Sequence, residues 1–302
     1  MIDKFYNEYM YTPMPEMHSE MIPVTQGCSY NKCLYCDLNY RQKFKVFDFE
    51  DIKTYIESRR RFYQDKRVKP TKFNLLEGNP LCLDTDFLLR IMKEINKNFS
   101  CKYISMFART RDVLSKSDDQ LLLLKNEKMD RLCLGLESGS DKVLSFQNKG
   151  TNLDDSLKAC KKLERLGIKY SAYIMLGLGG RDLSKDHIEK TAFLLNQIHP
   201  FEIVIVTTVI FKRAGLAQKV RSKEFKRLSV RESILEERDL LEKLELETIF
   251  NASHKTNALI LTGLIPNHKK KLLDKIDSHL EEYSKRDLVK LENKKWRVWD
   301  KE

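Results

Sequence analysis

The chain has 302 residues, 41% of them hydrophobic and 33% charged, with a formal net charge of +11. That length suits one large domain with added terminal elements, and the lack of any apolar run approaching about eighteen residues excludes an ordinary membrane-spanning helix. The basic balance is compatible with a nucleic-acid partner, an anionic substrate or an acidic redox protein, and equally with a lysine-rich solvated surface.

The N-terminus shows neither a basic leader nor a small-residue cleavage site, so a cytoplasmic protein without a membrane partner is expected. The first strand-like segment, residues 21–24, leads into Gly27-Cys28-Ser29-Tyr30-Asn31-Lys32-Cys33-Leu34-Tyr35-Cys36. Thiolates are soft ligands, and three of them can hold three corners of a cubane iron–sulphur cluster while the fourth iron stays open. Cys28, Cys33 and Cys36 are therefore the candidate metal ligands and catalytic residues. A zinc site is the competing interpretation, because Cys33 and Cys36 have the spacing of half a zinc knuckle. It would need a fourth ligand, and no compact pair follows, which leaves a lone distant histidine open. Cys82, Cys101, Cys133 and Cys160 are scattered among largely apolar segments, which fits a reducing compartment better than a disulfide framework.

Further along, helical spacing over 49–63 precedes a strand at 73–76 and the polar turn Glu77-Gly78-Asn79-Pro80. A helix over 85–98 precedes a strand at 103–107, followed by Arg109 and Arg111. A helix over 118–125 leads to a strand at 131–136 and Glu137-Ser138-Gly139-Ser140. A helix over 152–166 leads to a strand at 170–176 and Gly177-Leu178-Gly179-Gly180, and a helix over 185–198 leads to a strand at 203–208. Six strands alternating with helices predict an α/β fold with a parallel sheet and crossover helices, and periodicity alone leaves an open doubly wound sheet possible. In a barrel, the polar and glycine-rich pieces that follow the strands would collect on the C-terminal rim. The glycine run after residue 176 is not placed at the first strand–helix turn, which excludes a NAD fingerprint.

Beyond about residue 215 the pattern changes. A charged amphipathic helix is expected over 229–246, a polar piece over 251–257, an apolar run over 258–261, and a helix over 270–283 after Gly263-Leu264-Ile265-Pro266. Residues 268–271 form the densest basic patch. The tail 287–302 carries Trp296 and Trp299, whose spacing favours a docked cover. The expected organisation is an N-terminal extension (1–20), a core (21–214) and a C-terminal extension covering the mouth of the core (215–302).

The cysteine run, together with segments from Phe73 to Gly180, resembles the radical S-adenosylmethionine (radical SAM) superfamily, in the broad group that includes elongator-type and coproporphyrinogen-oxidase-like proteins. The spacing Cys-x4-Cys-x2-Cys departs by one residue from the commoner x3 gap. The resemblance implies a partial TIM barrel of six β/α units, a [4Fe-4S] cluster and S-adenosyl-L-methionine. It further implies that reductive C–S cleavage yields a 5′-deoxyadenosyl radical that abstracts hydrogen from a substrate. On the same basis Tyr35 is expected near the adenine, and Glu77, Gly78 and Asn79 near the methionyl amino group. Arg109 is expected at a carboxylate, Glu137 at the ribose with Ser138 supporting it, and Tyr173 and Gly177 beside the adenine. A low-potential donor such as flavodoxin or ferredoxin would supply the electron.

In size, single-cluster organisation and residues 27–36 the chain is also similar to the queuine lyases, which implies C–N lysis of a deazapurine small molecule to a 7-aminomethyl-7-deazaguanine. Asn251 and His254 are the candidate substrate-reading residues on that view. A radical SAM tRNA-modifying enzyme, with tRNA held through the basic surface, and a non-catalytic iron–sulphur redox or sensing protein remain the alternatives.

Overall fold

The computed structural model describes residues 13–282. The tail with Trp296 and Trp299, and residues 1–12 of the N-terminal extension, lie outside the described residues.

The strands are β1 (Glu20–Pro23), β2 (Thr25–Gln26), β3 (Lys45–Val46), β4 (Lys72–Leu76), β5 (Tyr103–Ala108), β6 (Met129–Glu137), β7 (Lys169–Leu176), β8 (Glu202–Thr207), β9 (Thr248–Asn251) and β10 (Thr262–Ile265). Eight of them form one open sheet in the order β1-β4-β5-β6-β7-β8-β9-β10. Along this sheet the pairings are parallel from β1 to β6 and from β7 to β9, and antiparallel between β9 and β10. The architecture is thus the α/β, partial-TIM-barrel type, with an antiparallel edge added beyond the six expected strands.

The chain divides into two compact units. The first takes Met1–Asn31, Arg41–Gly135 and Lys161–Tyr170; the second takes Lys32–Tyr40, Leu136–Cys160 and Ser171–Glu302.

In the first unit, helices α1 (Phe49–Gln64) and α2 (Thr85–Asn98) follow the expected periodicity. α2 buries Leu88, Ile91, Met92 and Ile95, the three-to-four spacing of one apolar stripe. Its start is fixed by Asp84, whose carboxylate accepts the backbone N–H groups of Asp86 and Phe87. Phe73 on β4, fully buried, meets Phe99 at 4.9 Å between ring centres. A short helix α3 (Thr110–Ser115) and α4 (Asp118–Asn126) follow β5.

In the second unit, α5 (Asp141–Phe146), α6 (Leu153–Arg165, its last turn in the first unit), α7 (Gly180–Asn196), α8 (Gly215–Arg221), α9 (Val230–Lys243) and α10 (Lys269–Glu282) accompany the later strands. α7 begins at Gly180, five residues before the expected start, because Leu183 is the one apolar residue of its first five and does not set a period. Residues 248–251 and 262–265 form a hairpin, and the expected polar piece (251–257) and apolar run (258–261) largely make up the connection between its strands. Asn257 explains how the polar connection is accommodated: its amide N–H groups donate to the carbonyls of Ile205 and Ala252, and its Oδ1 accepts the Thr207 N–H. One side chain thereby satisfies buried backbone at the end of β8.

Replacing the α2 cap, Asp84→Ala, is expected to lower stability by about 1 kcal/mol without changing the fold, measurable as a shift of the urea midpoint at constant slope.

Candidate functional site

In the first unit, the turn after β4 grips the segment that bears Cys28. The Gly27 N–H donates to Glu77 Oε2 at 2.6 Å, and the Gly78 N–H donates to the Gly27 carbonyl at 3.3 Å. The Ser29 N–H donates to Asn79 Oδ1 at 3.1 Å, while Asn79 Nδ2 donates to Ser29 Oγ at 2.8 Å and to Asp112 Oδ2 at 3.0 Å. Residues on both sides of Cys28 are thus tied to one turn. Gly27 sits at φ +80°, and a Cβ on Gly78 would fall 2.8 Å from the Cys28 Cβ, so both positions favour glycine.

Burial pushes the Glu77 carboxyl upward, opposed by the Gly27 N–H. The Asp112 carboxyl is also raised by burial, against the hydrogen bond from Asn79 and then the Arg109 N–H. Arg109 caps α3 and lays its guanidinium 3.8 Å from the centre of the Tyr30 ring, a cation–π contact on the cysteine loop itself. Arg111 is exposed. Cys82, counted in the sequence among scattered thiols, also reaches this region. Burial pushes its thiol up to about 11, against a hydrogen bond from Ser29, and Cys28 lies close enough to add to the rise.

In the second unit, Cys33 and Cys36 pack against an apolar cluster of Tyr35, Val143, Leu178, Leu216 and Phe225. Glu137 ends β6 in the left-handed region, φ +65°, and is 9% exposed. Lys149 Nζ donates to Glu137 Oε1 at 2.8 Å and to the Tyr35 hydroxyl at 3.2 Å, and that hydroxyl lies 3.3 Å from the same Oε1. Both contacts fall on one carboxylate oxygen; Oε2 carries no hydrogen bond among the described residues. Glu137 therefore has an anchored oxygen and a second one available to a hydroxyl-bearing ligand.

Below Glu137 the loop is latched to α7. Ser138 Oγ lies 2.8 Å from His187 Nδ1, and His187 Nε2 lies 3.0 Å from the Met175 carbonyl. The carbonyl can only accept, so Nε2 carries a proton, and in the neutral ring Nδ1 accepts from the Ser138 hydroxyl. Burial lowers His187 to about 4, consistent with that form. The Gly139 N–H donates to Thr191 Oγ1, and a Cβ on Gly139 would lie 2.1 Å from the Lys190 carbonyl oxygen. Ser138 thus supports the loop from beneath.

The glycine turn after β7 is held by a buried carboxylate from α9. The Gly177 N–H donates to Glu236 Oε2 at 2.6 Å, and Ser184 Oγ donates to Oε1 at 2.5 Å. Tyr173 is buried on β7. Asn251 donates its amide to Glu202 Oε1 at 2.8 Å, beside the first half of β8. His254 places Nδ1 2.7 Å from Thr256 Oγ1, and burial lowers it to about 4. Both are engaged in local structure. Sequence reasoning missed Lys149, Asp112, His187 and Glu236, since each is an ordinary residue made special by a partner distant in the chain.

Comparison with known proteins places these features in context. Residues 22–195, more than half of the chain, match the Radical SAM superfamily. The chain is 24% identical over 251 residues to a putative methylthiotransferase of Methanocaldococcus jannaschii, covering 74% of this chain and 52% of that protein. It is 23% identical over 193 residues to an uncharacterized protein of the same archaeon, covering 61% and 47%. The chain spans about half the length of these curated relatives. The fold is similar to Methanocaldococcus infernus Elp3 lacking its N-terminus (TM-score 0.56, 14% identity, 88% of this chain and 63% of that one). It is likewise similar to methylornithine synthase PylB (TM-score 0.53, 14% identity, 90% and 85%).

Burial foremost raises Glu236 from an ordinary 4.5 to about 7, with Asp239 and Glu232 adding to the rise and Ser184 and Gly177 opposing it. A carboxyl raised on folding favours the folded state when protonated. That contribution is complete below about 4.5 and is lost as pH rises through about 7, amounting to at most about 3 kcal/mol. Urea midpoints of the protein are expected to carry this downward component, and Glu236→Gln to remove it.

Proposed function

The chain belongs to the radical S-adenosylmethionine superfamily, enzymes that use a [4Fe-4S] cluster and S-adenosylmethionine, and from that premise we propose that it abstracts hydrogen from a small-molecule substrate, with Cys28, Cys33 and Cys36 holding the cluster. Three thiol donors in one short run are the soft ligands that cofactor takes. None of the three forms a disulfide and all three are partly exposed, whereas Cys101, Cys133 and Cys160 are buried. The glycine at position 78 leaves room against Cys28 that a side chain would fill. When bound, the cofactors supply reductive C–S cleavage and hydrogen abstraction.

The chain's own side chains hold, orient and shield. Glu77 and Asn79 fix the backbone around Cys28 through the hydrogen bonds to Gly27 and Ser29. The apolar residues packed on Cys33 and Cys36 cover one side of them, which lowers the local polarity there. The observation that carries the reading is Glu137: it stands at the end of β6, one oxygen fastened by Lys149 and the other open. A carboxylate so presented suits the paired hydroxyls of a ribose.

Queuine is the first substrate to assay, on the likeness of size, single-cluster organisation and residues 27–36 to the queuine lyases; C–N lysis would release a 7-aminomethyl-7-deazaguanine. Asn251 and His254 are the candidate substrate-reading residues on this reading, with Asn251 Nδ2 donating to Glu202 and His254 Nδ1 beside Thr256. The donor on this reading is a low-potential carrier such as flavodoxin or ferredoxin.

Anaerobic reconstitution followed by mass spectrometry is expected to show 5′-deoxyadenosine formed in the presence of substrate, with queuine, related deazapurines and tRNA as the panel. Cys33→Ala should abolish both the cluster absorbance and the product; retained spectra and turnover would overturn the ligand assignment. Product formed with tRNA alone would replace the small-molecule reading.

A further inference from the structure

In the first unit, the end of α1 and the segment that joins it to β4 concentrate positive charge. Residues 58–72 hold seven cations and a single acid, Asp65. Of these cations Arg60, Arg61, Lys66, Arg67, Lys69 and Lys72 are exposed. Other exposed lysines of this unit stand beside acids, as Lys97 does beside Glu94 at 3.9 Å and Lys169 beside Asp130 at 3.5 Å. Arg60, Arg61, Arg67 and Lys69 have no such acid among the described residues. The carbonyl end of α1 favours cations in its last turn, which accounts for Arg61 but not for Arg67 and Lys69 beyond it.

An aromatic ring stands inside this field. Phe62 is 51% exposed, and Val68 nearby in the chain is 79% exposed. Single exposed apolar residues are ordinary, but Phe62 is also held in place. The Arg59 guanidinium lies 4.5 Å from its ring centre, the Lys66 ammonium 5.3 Å, and the Tyr63 ring meets it edge-on at 5.0 Å. Arg59 and Tyr63 are in turn pinned by Glu20, whose side chain is only 7% exposed: Arg59 Nε donates to Oε1, and the Tyr63 hydroxyl donates to Oε2 at 2.8 Å. A buried carboxylate thereby pre-organises a ring that stays in water, which reduces the ordering cost when a partner covers it.

Cations that follow a phosphate backbone, together with an aromatic ring that takes a base, are the two parts of a single-strand nucleic-acid site. Guanidinium groups match phosphate geometry, and RNA is read chiefly where it is unpaired, with bases free to stack on aromatic rings. We propose that the end of α1 and residues 65–69 form a docking surface for an unpaired stretch of RNA, with phosphates on Arg60, Arg61, Arg67 and Lys69 and a base on Phe62. The surface lies at the start of β4, whereas the turn that grips the Cys28 segment lies at its end, roughly 13 Å further along the strand. RNA bound here is held apart from Cys28. The inference goes beyond the small-molecule reading and uses no cluster, so it stands or falls separately.

The test is fluorescence anisotropy of the full chain with a labelled single-stranded RNA of about twelve nucleotides, with circular dichroism as the folding control. Affinity should fall as salt rises, with a log–log slope of about −3, from about 0.7 for each of four phosphates. Arg60→Glu combined with Arg67→Glu should weaken binding more than about tenfold and flatten that slope. Arg61→Gln combined with Lys69→Gln carries the test should the charge reversal not fold. Phe62→Ala should weaken binding about tenfold with the slope unchanged, and Phe62→Tyr should restore it, a split that a purely ionic surface would not give. Lys270→Glu combined with Lys271→Glu, in the densest basic run of the sequence, should bind as the parent does. No RNA binding by the parent at about 50 mM salt, or equal loss from the Lys270 and Lys271 pair, would overturn the proposal. Binding to phosphatidylserine vesicles or polyglutamate through Arg60 and Arg67, without RNA binding, would overturn it in favour of a membrane or an acidic protein.

Discussion

The segment around Cys28 has no regular structure of its own, so everything proposed for it depends on the turn after β4 holding it still. Glu77 and Asn79 do this from either side, accepting the N–H groups of Gly27 and Ser29. Both acceptors are buried, which makes the bonds hard to replace: an amide left without a partner in such a place costs on the order of 1–3 kcal/mol. The network does not stop there. Asn79 leans on Asp112, and Asp112 takes the N–H of Arg109, whose guanidinium lies on Tyr30. The ends of β4 and β5 thus share the work of fixing one loop.

The second unit solves a similar problem with charge. Glu137 occupies a backbone conformation that a side chain rarely adopts, and it is largely buried. Such a residue persists only where its surroundings over-determine it. Lys149 supplies the opposite charge, and Ser138, His187 and Thr191 hold the loop just beyond it. Replacing a buried ion pair by apolar groups is often neutral for stability, so the pair says little about folding stability by itself.

Much of the framework was legible in the sequence. The stripe Leu88, Ile91, Met92, Ile95 announces α2, and the fully buried positions of β4 and β5 read as short apolar runs between polar turns. Cys28, Cys33 and Cys36 stood out because thiols at that spacing have few other uses. Glu137 stood out because it ends a strand. By contrast Lys149 is one of many lysines in a basic chain, and nothing near it in sequence marks its burial. Glu236 lies 59 residues from the Gly177 amide it accepts, and His187 lies 49 from Ser138. Short elements such as α3, α5 and the β9–β10 hairpin escaped for another reason: six residues or fewer do not establish a period.

The contact at Gly139 bears on how this scaffold could be altered. With the Lys190 carbonyl oxygen 2.1 Å from where a first side-chain carbon would stand, this stretch of loop is closed to diversification, since even a methyl group would push a helix aside. Anyone building combinatorial libraries to redirect substrate preference would do well to leave this position untouched and place randomised codons at other loops.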